Sequence, residues 1–176
     1  MEHNFHDEEN NVKNLDGKEA IAKLKEIAER ARICMFTTFT IDRPMPSRPM
    51  ALQGVDDDGT MHFFSATNSH KNAELKADHD VQLFFENNSS SEYLNVYGKA
   101  TISQDKEKIK ELWTLWAKAW FQDGPEDPKL SLVSVKPITS EYWDTKHNKM
   151  ISILKIAASI VTGKTMDDGV EGKLHI

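Results

Sequence analysis

Residues 48–71 read RPMALQGVDDDGTMHFFSATNSHK. An extended segment opens on Arg48, the cluster Asp56-Asp57-Asp58-Gly59 turns the chain back, and a second extended segment, Thr60 to Ser65, returns beside the first. The polar turn Phe64-Ser65-Ala66-Thr67-Asn68-Ser69-His70-Lys71 then leads into a helix. That order reads as a phosphate cradle. Arg48 offers a planar fork of donors, Ser65, Thr67 and Ser69 offer hydroxyls, and Lys71 puts a point charge at a helix start, where unpaired amides favour anions. Taken alone, each residue reads first as an ordinary turn residue or a surface salt-bridge partner, since turns favour Ser and Asn.

Working outward, strand signals continue on both sides. Ile33 to Ile41 is rich in β-branched and aromatic residues and ends at Asp42-Arg43-Pro44; Pro46 to Val55 follows, with Pro49 placing it near an edge or a bulge. Val81 to Glu86, Tyr93 to Ser103 with a bend at Gly98, Leu130 to Val135 and Ser140 to Trp143 complete the set. Helices sit at the margins. Asp16 with Glu19 resembles a capping box ahead of Ile21, Leu24, Ala28 and Ala31, predicting a helix to Arg32. A short helix is expected over Asn72–Ala77. A longer one opens at Asp105, carries Ile109, Leu112, Trp113, Trp116 and Trp120, and stops at Asp123-Gly124-Pro125. Six or seven strands joined by short turns argue for a closed antiparallel barrel, mainly β with flanking helices.

The chain has 176 residues and a formal net charge of −6, which favours one domain and argues against a general nucleic-acid binder. Its single cysteine, Cys34, lies in an apolar run, so no internal disulfide forms and the composition suits the cytoplasm. Residues 1–14 lack the apolar core and basic start of a signal peptide and read as a loose tail. Residues 15–149 form the expected domain, and 150–176 a carboxy-terminal helix and tail. Within that segment Ile151 to Val161 is apolar but interrupted by Lys155, and far short of the roughly 20 residues of a membrane span. It reads as a packed helix, and no membrane partner is expected.

Several motifs fail on inspection. Gly163-Lys164-Thr165 lacks the earlier glycine of a nucleotide loop, that position being Ala158. Seven histidines invite a metal, yet His62, His70, His79 and His147 show no ligand spacing, and one cysteine rules out a Cys-rich site. No Ser/His/Asp set is assembled by sequence motif. Trp113, Trp116 and Trp120 share one helical face, which reads as core or subunit-interface packing, with a wall for an aromatic ring as the sharper alternative. That wall together with the cradle suggests a flavin mononucleotide, though periodicity does not choose it over another nucleotide.

The segments Ser47-Arg48-Pro49-Met50-Ala51-Leu52, Phe63 to Lys71, Val81-Gln82-Leu83-Phe84-Phe85, Asn95-Val96-Tyr97-Gly98-Lys99-Ala100 and Glu141-Tyr142-Trp143 come in an order that resembles the split-barrel FMN-binding proteins related to pyridoxamine 5'-phosphate oxidase, and among them the bacterial general stress protein branch. The resemblance covers Ala20 to Thr145. It implies that Arg48 binds the flavin phosphate, that the backbone of Pro49 and Met50 runs along the ring, and that Phe64 and Ser65 lie beside ring and ribityl chain. Ala66 and Thr67 belong to the same run. Ser69, His70 and Lys71 match a Ser-Arg-Lys phosphate grip, with histidine replacing arginine. Tyr93 and Trp143 match positions from which a second subunit approaches the flavin, so a homodimer with shared sites is implied.

Departures limit the substrate. The oxidase has a lysine where this chain has Gln53, and its Arg-Xaa-His grip has no counterpart in Asp144-Thr145-Lys146-His147-Asn148-Lys149, which argues against pyridoxamine phosphate. The expected function is a flavin-dependent oxidoreductase with an unidentified small-molecule electron donor or acceptor, and no side chain is singled out as acid or base. The alternative is a stress protein that stores, buffers or senses flavin without turnover. Haem or a deazaflavin on the same barrel stays open until a visible spectrum is recorded.

Overall fold

The structure is a computed structural model that describes residues 11–41, 43–145 and 169–176. In chain order it comprises β1 (Leu15–Asp16), α1 (Gly17–Ala31), β2 (Ile33–Thr38), β3 (Ser47–Val55), β4 (Met61–Ala66), α2 (His70–Ala77), β5 (Asp80–Asn87), β6 (Glu92–Ser103), α3 (Lys106–Leu112), β7 (Leu130–Thr145) and β8 (Gly169–His175). The strands order as β1-β8-β7-β4-β3-β2-β5-β6, and β6 also pairs with β7. A six-stranded antiparallel barrel therefore closes through β7, with β8 and β1 added outside the ring. Closure removes the open edges that a flat sheet of this length would expose.

Alternation along the strands sends Phe36, Phe63, Leu83, Phe85, Leu94, Val96, Val133 and Val135 into the barrel, all at or near complete burial. Phe36 and Phe63 meet edge to face, ring centroids 5.4 Å apart. The apolar stripe of α1, Ala20, Leu24, Ile27 and Ala28, is fully buried against the barrel. Burying Leu24 and Ile27 contributes about 1.5–3 kcal/mol each. Arg32 ends α1 in the left-handed region, φ 64°, and its amide donates to the Ala28 carbonyl.

Four expectations need correction. Leu130–Val135 and Ser140–Trp143 are one strand, β7, because Pro137 falls opposite Gly98, where the register with β6 shifts and no ladder N–H is required of it. The long tryptophan helix stops at Leu112: Trp113 turns to extended backbone, φ −66° and ψ 128°, and short 3-10 turns follow at Ala117–Ala119 and Gly124–Glu126. The tryptophans therefore share no helical face, and Trp116 and Trp120 are 72% and 71% exposed. The capping box at Asp16 and Glu19 does not form, since the Asp16 side chain makes no cap hydrogen bond while its backbone pairs in β1 with His175.

The ends of the described chain are also more ordered than their polarity suggests. Lys13 donates its amide to the Glu171 carbonyl at 2.7 Å and accepts from the Tyr142 hydroxyl at 2.8 Å, so residues 12–14 are tied to the sheet rather than forming a loose tail. β8 pairs with β7 from Ser140 to Thr145 and buries Leu174, which places residues 169–175 in the barrel's own sheet instead of a separate tail. The helix expected at 151–161 and the Gly163-Lys164-Thr165 motif lie outside the described residues. Among those described, no helix is long and apolar enough to cross a membrane.

Gly98 is where the barrel's longest pairing bends. A Cβ added there would lie 2.5 Å from the Lys136 carbonyl oxygen, a backbone atom that moves only with its strand. Gly98→Ala is expected to cost about 2 kcal/mol, seen as a fall of roughly 4–8 °C in Tm; a thermal melt checks this.

Candidate functional site

β3 and β4 are paired only from Leu52 to Val55, with a register shift between Leu52 and Gly54. Toward Arg48 they part. β3 stays with β2 through Arg48 opposite Phe36, while β4 continues along β7 to Ala66 opposite Leu130. The first turn of α2 joins the two diverging strands. On the β4 side Ser65 donates to Asn72 Oδ1 at 2.8 Å, Asn72 Nδ2 donates to Ser131 Oγ at 2.9 Å, and Ser131 Oγ returns to the Ser65 carbonyl at 2.9 Å. Ser69 caps α2 by accepting from the Asn72 amide, and its oxygen lies 3.1 Å from Ser65 Oγ. With the Ser65 proton committed to Asn72, Ser69 is left to donate to Ser65.

On the β3 side, Arg48 Nη2 donates to Glu74 Oε2 at 2.7 Å and Nη1 to Thr38 Oγ1 at 2.9 Å; Thr38 Oγ1 donates to the same Glu74 oxygen at 2.6 Å. Burial alone would raise the Glu74 carboxyl, but the hydrogen bonds from Thr38 and Arg48 outweigh it and hold it below the usual range. This triangle uses two of the five guanidinium donors and fixes the rest.

Between these two arrangements lies Lys71, only 6% exposed. Its Nζ is 3.5 Å from Met50 Sδ and 5.9 Å from the Phe36 ring centroid, and it makes no ion pair with any described carboxylate. Burial first, and then the charge of Arg48, push its ammonium down to about 8. Nearby Cys34 is likewise buried, which pushes its thiol up to about 12 and leaves it an unreactive core residue.

The remaining residues singled out from sequence distribute unevenly. Pro49 and His70 are exposed. Thr67 is held by its amide to the Lys129 carbonyl at 2.8 Å, and Ala66 accepts from the Ser69 amide at 3.0 Å. Phe64 faces away from the cradle into a second apolar cluster, 5.8 Å from the Trp113 ring and 6.5 Å from Phe121. Tyr93 and Trp143 are cross-strand partners on β6 and β7, about two-fifths exposed, and no hydrogen bond or ring contact joins them to the cradle within the described chain. Sequence reasoning missed Glu74, Thr38, Asn72 and Ser131. Only Asn72, three residues after a capping serine, carried a local signal.

A Ser/His/Asp constellation does exist elsewhere. His62 is 2.8 Å from Asp56 Oδ2 through Nε2 and 2.9 Å from Ser134 Oγ through Nδ1. It is a tie, not a hydrolytic triad. Asp56 also binds Lys108 Nζ at 2.8 Å and so anchors α3, and Ser134 is paired to both His62 and Thr101, so the ladder consumes the amides an oxyanion would need.

Comparison with known proteins agrees with this geometry. Among solved structures, a protein described as a general stress protein 26 from Jannaschia sp. CCS1 superposes with a TM-score of 0.72, covering 90% of this chain and 96% of its own at 24% identity. A general stress FMN/FAD binding protein from Xanthomonas citri gives 0.63, covering 73% and 90% at 22% identity. These share the fold. Protein bli-3 of Neurospora crassa is 31% identical over 127 residues, 67% of this chain, and the match spans 61% of that longer protein. Residues 19–167 match the family described as pyridoxamine 5'-phosphate oxidase like, and with the parted β3–β4 pair and the cradle beneath it, the chain belongs to that family.

Proposed function

We propose that this protein is an FMN-binding flavoprotein and an oxidoreductase whose substrate is not pyridoxamine phosphate. The observation that carries the reading is Lys71, a buried ammonium that lies near a second cation and forms no ion pair with any described carboxylate. Keeping such a charge out of water costs several kcal/mol unless an anion joins it. A phosphate entering beside α2 would meet Lys71 Nζ, the unused donors of Arg48, the Thr67 hydroxyl and the first amides of α2, which no helix carbonyl can satisfy. Ser65 and Ser69 would act indirectly by holding that helix start in place.

When bound, the flavin supplies hydride or electron transfer at its ring. The chain's own contribution is binding and orientation: Arg48 is aimed by Glu74 and Thr38, and β3 offers a main-chain edge from Pro49 onward, unpaired on the β4 side until Leu52. Gln53 folds back on the Ala51 carbonyl at 2.9 Å and brings no charge to that edge. A homodimer belongs to the same proposal. Ile33, Met35, Phe84, Tyr93 and Trp143 are all exposed on the barrel's outer face, with Met35 directly opposite Phe84, an apolar surface of the kind that subunits cover.

Purification, an absorption spectrum and mass identification of the released ligand test the cofactor; a protein that carries no flavin and does not take up added FMN refutes it. Turnover with a reduced nicotinamide donor and varied acceptors separates an enzyme from a storage protein. Arg48→Ala should weaken FMN by about tenfold or more while riboflavin changes little, since charge-assisted bonds are worth about 1.5–3 kcal/mol and only FMN carries the phosphate. Equal losses remove Arg48 from the phosphate.

Lys71 gives a pH signature. Its lowered value in the free protein, about 8, means that a bound anion must raise it, so the complex holds the proton to higher pH than the free protein does. FMN affinity should therefore fall as pH rises above 8, by about tenfold between pH 7 and pH 9, while riboflavin affinity stays level and Lys71→Met abolishes the slope. In light scattering, Phe84→Glu should yield monomers with reduced flavin content; monomers that retain full affinity rule out shared sites.

A further inference from the structure

Trp116 and Trp120, the two tryptophans that leave the core, flank a pocket of about 570 Å³, well within the range of small-molecule sites. Its opposite wall is the second half of β3, Ala51 to Gly54, and its rim is the junction of α1 and β2 at Arg32 and Ile33. The segment that carries the tryptophans follows Leu112, whose Cδ2 packs onto Gly54, within 2.8 Å of where a Cβ would be. Two large rings, each more than two-thirds exposed, face a wall in which Ala51 and Gly54 leave room beside Leu52 and Gln53. That shape suits a flat aromatic body, which gains stacking as well as burial.

Charge selects further. Arg32 is exposed, lines the pocket and makes no ion pair or side-chain hydrogen bond with any described residue. Its backbone is fixed on both sides, the amide to Ala28 at 2.9 Å and the carbonyl accepting from Leu52 at 2.8 Å. The junction holds it at φ 64°, where glycine would be less strained, and an arginine stands there. The one acidic group in the lining, Glu29, already faces Lys25 at 3.9 Å. The uncompensated charge at the rim is therefore positive.

We propose that this pocket binds a planar aromatic carboxylate, stacked against Trp116 and Trp120 with its anionic group at Arg32. The pocket's lining shares no residue with the phosphate cradle, although Ala51 and Leu52 also belong to the β3 edge offered to the flavin. Because pocket and cradle both lie on β3, the pocket is also placed to hold the redox partner, a role that rests on the flavin reading, whereas binding does not.

The test is calorimetric titration of the full chain, with whatever cofactor it carries, using 1-naphthoate and its neutral counterpart 1-naphthalenemethanol. Naphthoate should bind saturably and about tenfold tighter than the alcohol. Arg32→Asn, which tolerates the left-handed backbone, should erase that preference without changing the melting temperature or flavin content, and the double variant Trp116→Ala, Trp120→Ala should weaken both probes. No saturable binding, equal affinities in the unaltered protein, or a preference that survives Arg32→Asn each overturns the proposal. Loss of flavin from Arg32→Asn also overturns it, by assigning the pocket to the cofactor. Naphthoate binding by protein that carries no flavin sustains this site while removing the flavin reading.

Discussion

Placing the Lys71 ammonium inside the barrel without an ion pair to any described carboxylate is the constraint around which the neighbouring structure is arranged. A buried ammonium is normally paired or discharged. Here it is close to discharge, its proton affinity lowered until it titrates at about 8. The polar groups around it do not neutralise it; they hold the chain open around it. Met50 sulfur and the Phe36 ring face offer weak, polarisable contacts. The result is a site whose electrostatics are incomplete until an anion arrives.

Glu74 favours the Lys71 ammonium through its charge, but forms no ion pair with it. Its hydrogen bonds come from Arg48 and Thr38, which take the same oxygen at 2.7 and 2.6 Å. The carboxylate is spent on aiming the guanidinium. This division of labour links barrel and helix: Thr38 comes from β2, Arg48 from β3 and Glu74 from α2, so the β3–β4 gap cannot change width without stretching charged hydrogen bonds. On the far side, Ser65, Asn72 and Ser131 form the corresponding closed network with β4 and β7. Neutral bonds on one flank and charged ones on the other clamp the same helix start.

Much of the barrel was legible because its signals are local. Strand periodicity from Ile33 to Ser103, the turn at Asp56–Gly59 and the bend at Gly98 each act within a few residues, and the observed strands start and stop within three of the expected bounds. Failures came where a distant contact overrode local preference. The run from Trp113 to Trp120 has helical spacing, but Trp113 and Phe121 both pack against the Phe64 ring, and a continued helix would separate them by about 12 Å along its axis. β8 was unreadable for another reason: Gly169–His175 mixes glycine and charge, and becomes a strand only because β7 offers a long free edge. In the cradle, residue types announced Arg48 and Lys71, but nothing in the sequence announced that Glu74 would be engaged elsewhere. Partnerships across three strands have no spacing to read.

Gln53 sits where these threads meet. It occupies the register shift between Leu52 and Gly54 in the β3–β4 pairing, on the same strand as Arg48 and in the lining of the tryptophan pocket. A lysine at this position would place a second mobile cation beside Arg32 and make the pocket a general anion trap. The neutral amide, folded onto the Ala51 carbonyl, leaves Arg32 as the single cation in the pocket's lining. Charge that is fixed at one point beside stacked rings discriminates by where a ligand carries its negative group, whereas diffuse charge discriminates only by whether it has one. Exchanging lysine for glutamine at that strand position thus changes more than one contact: it shifts the pocket's basis for selection from net charge to the distance between an anion and an aromatic plane.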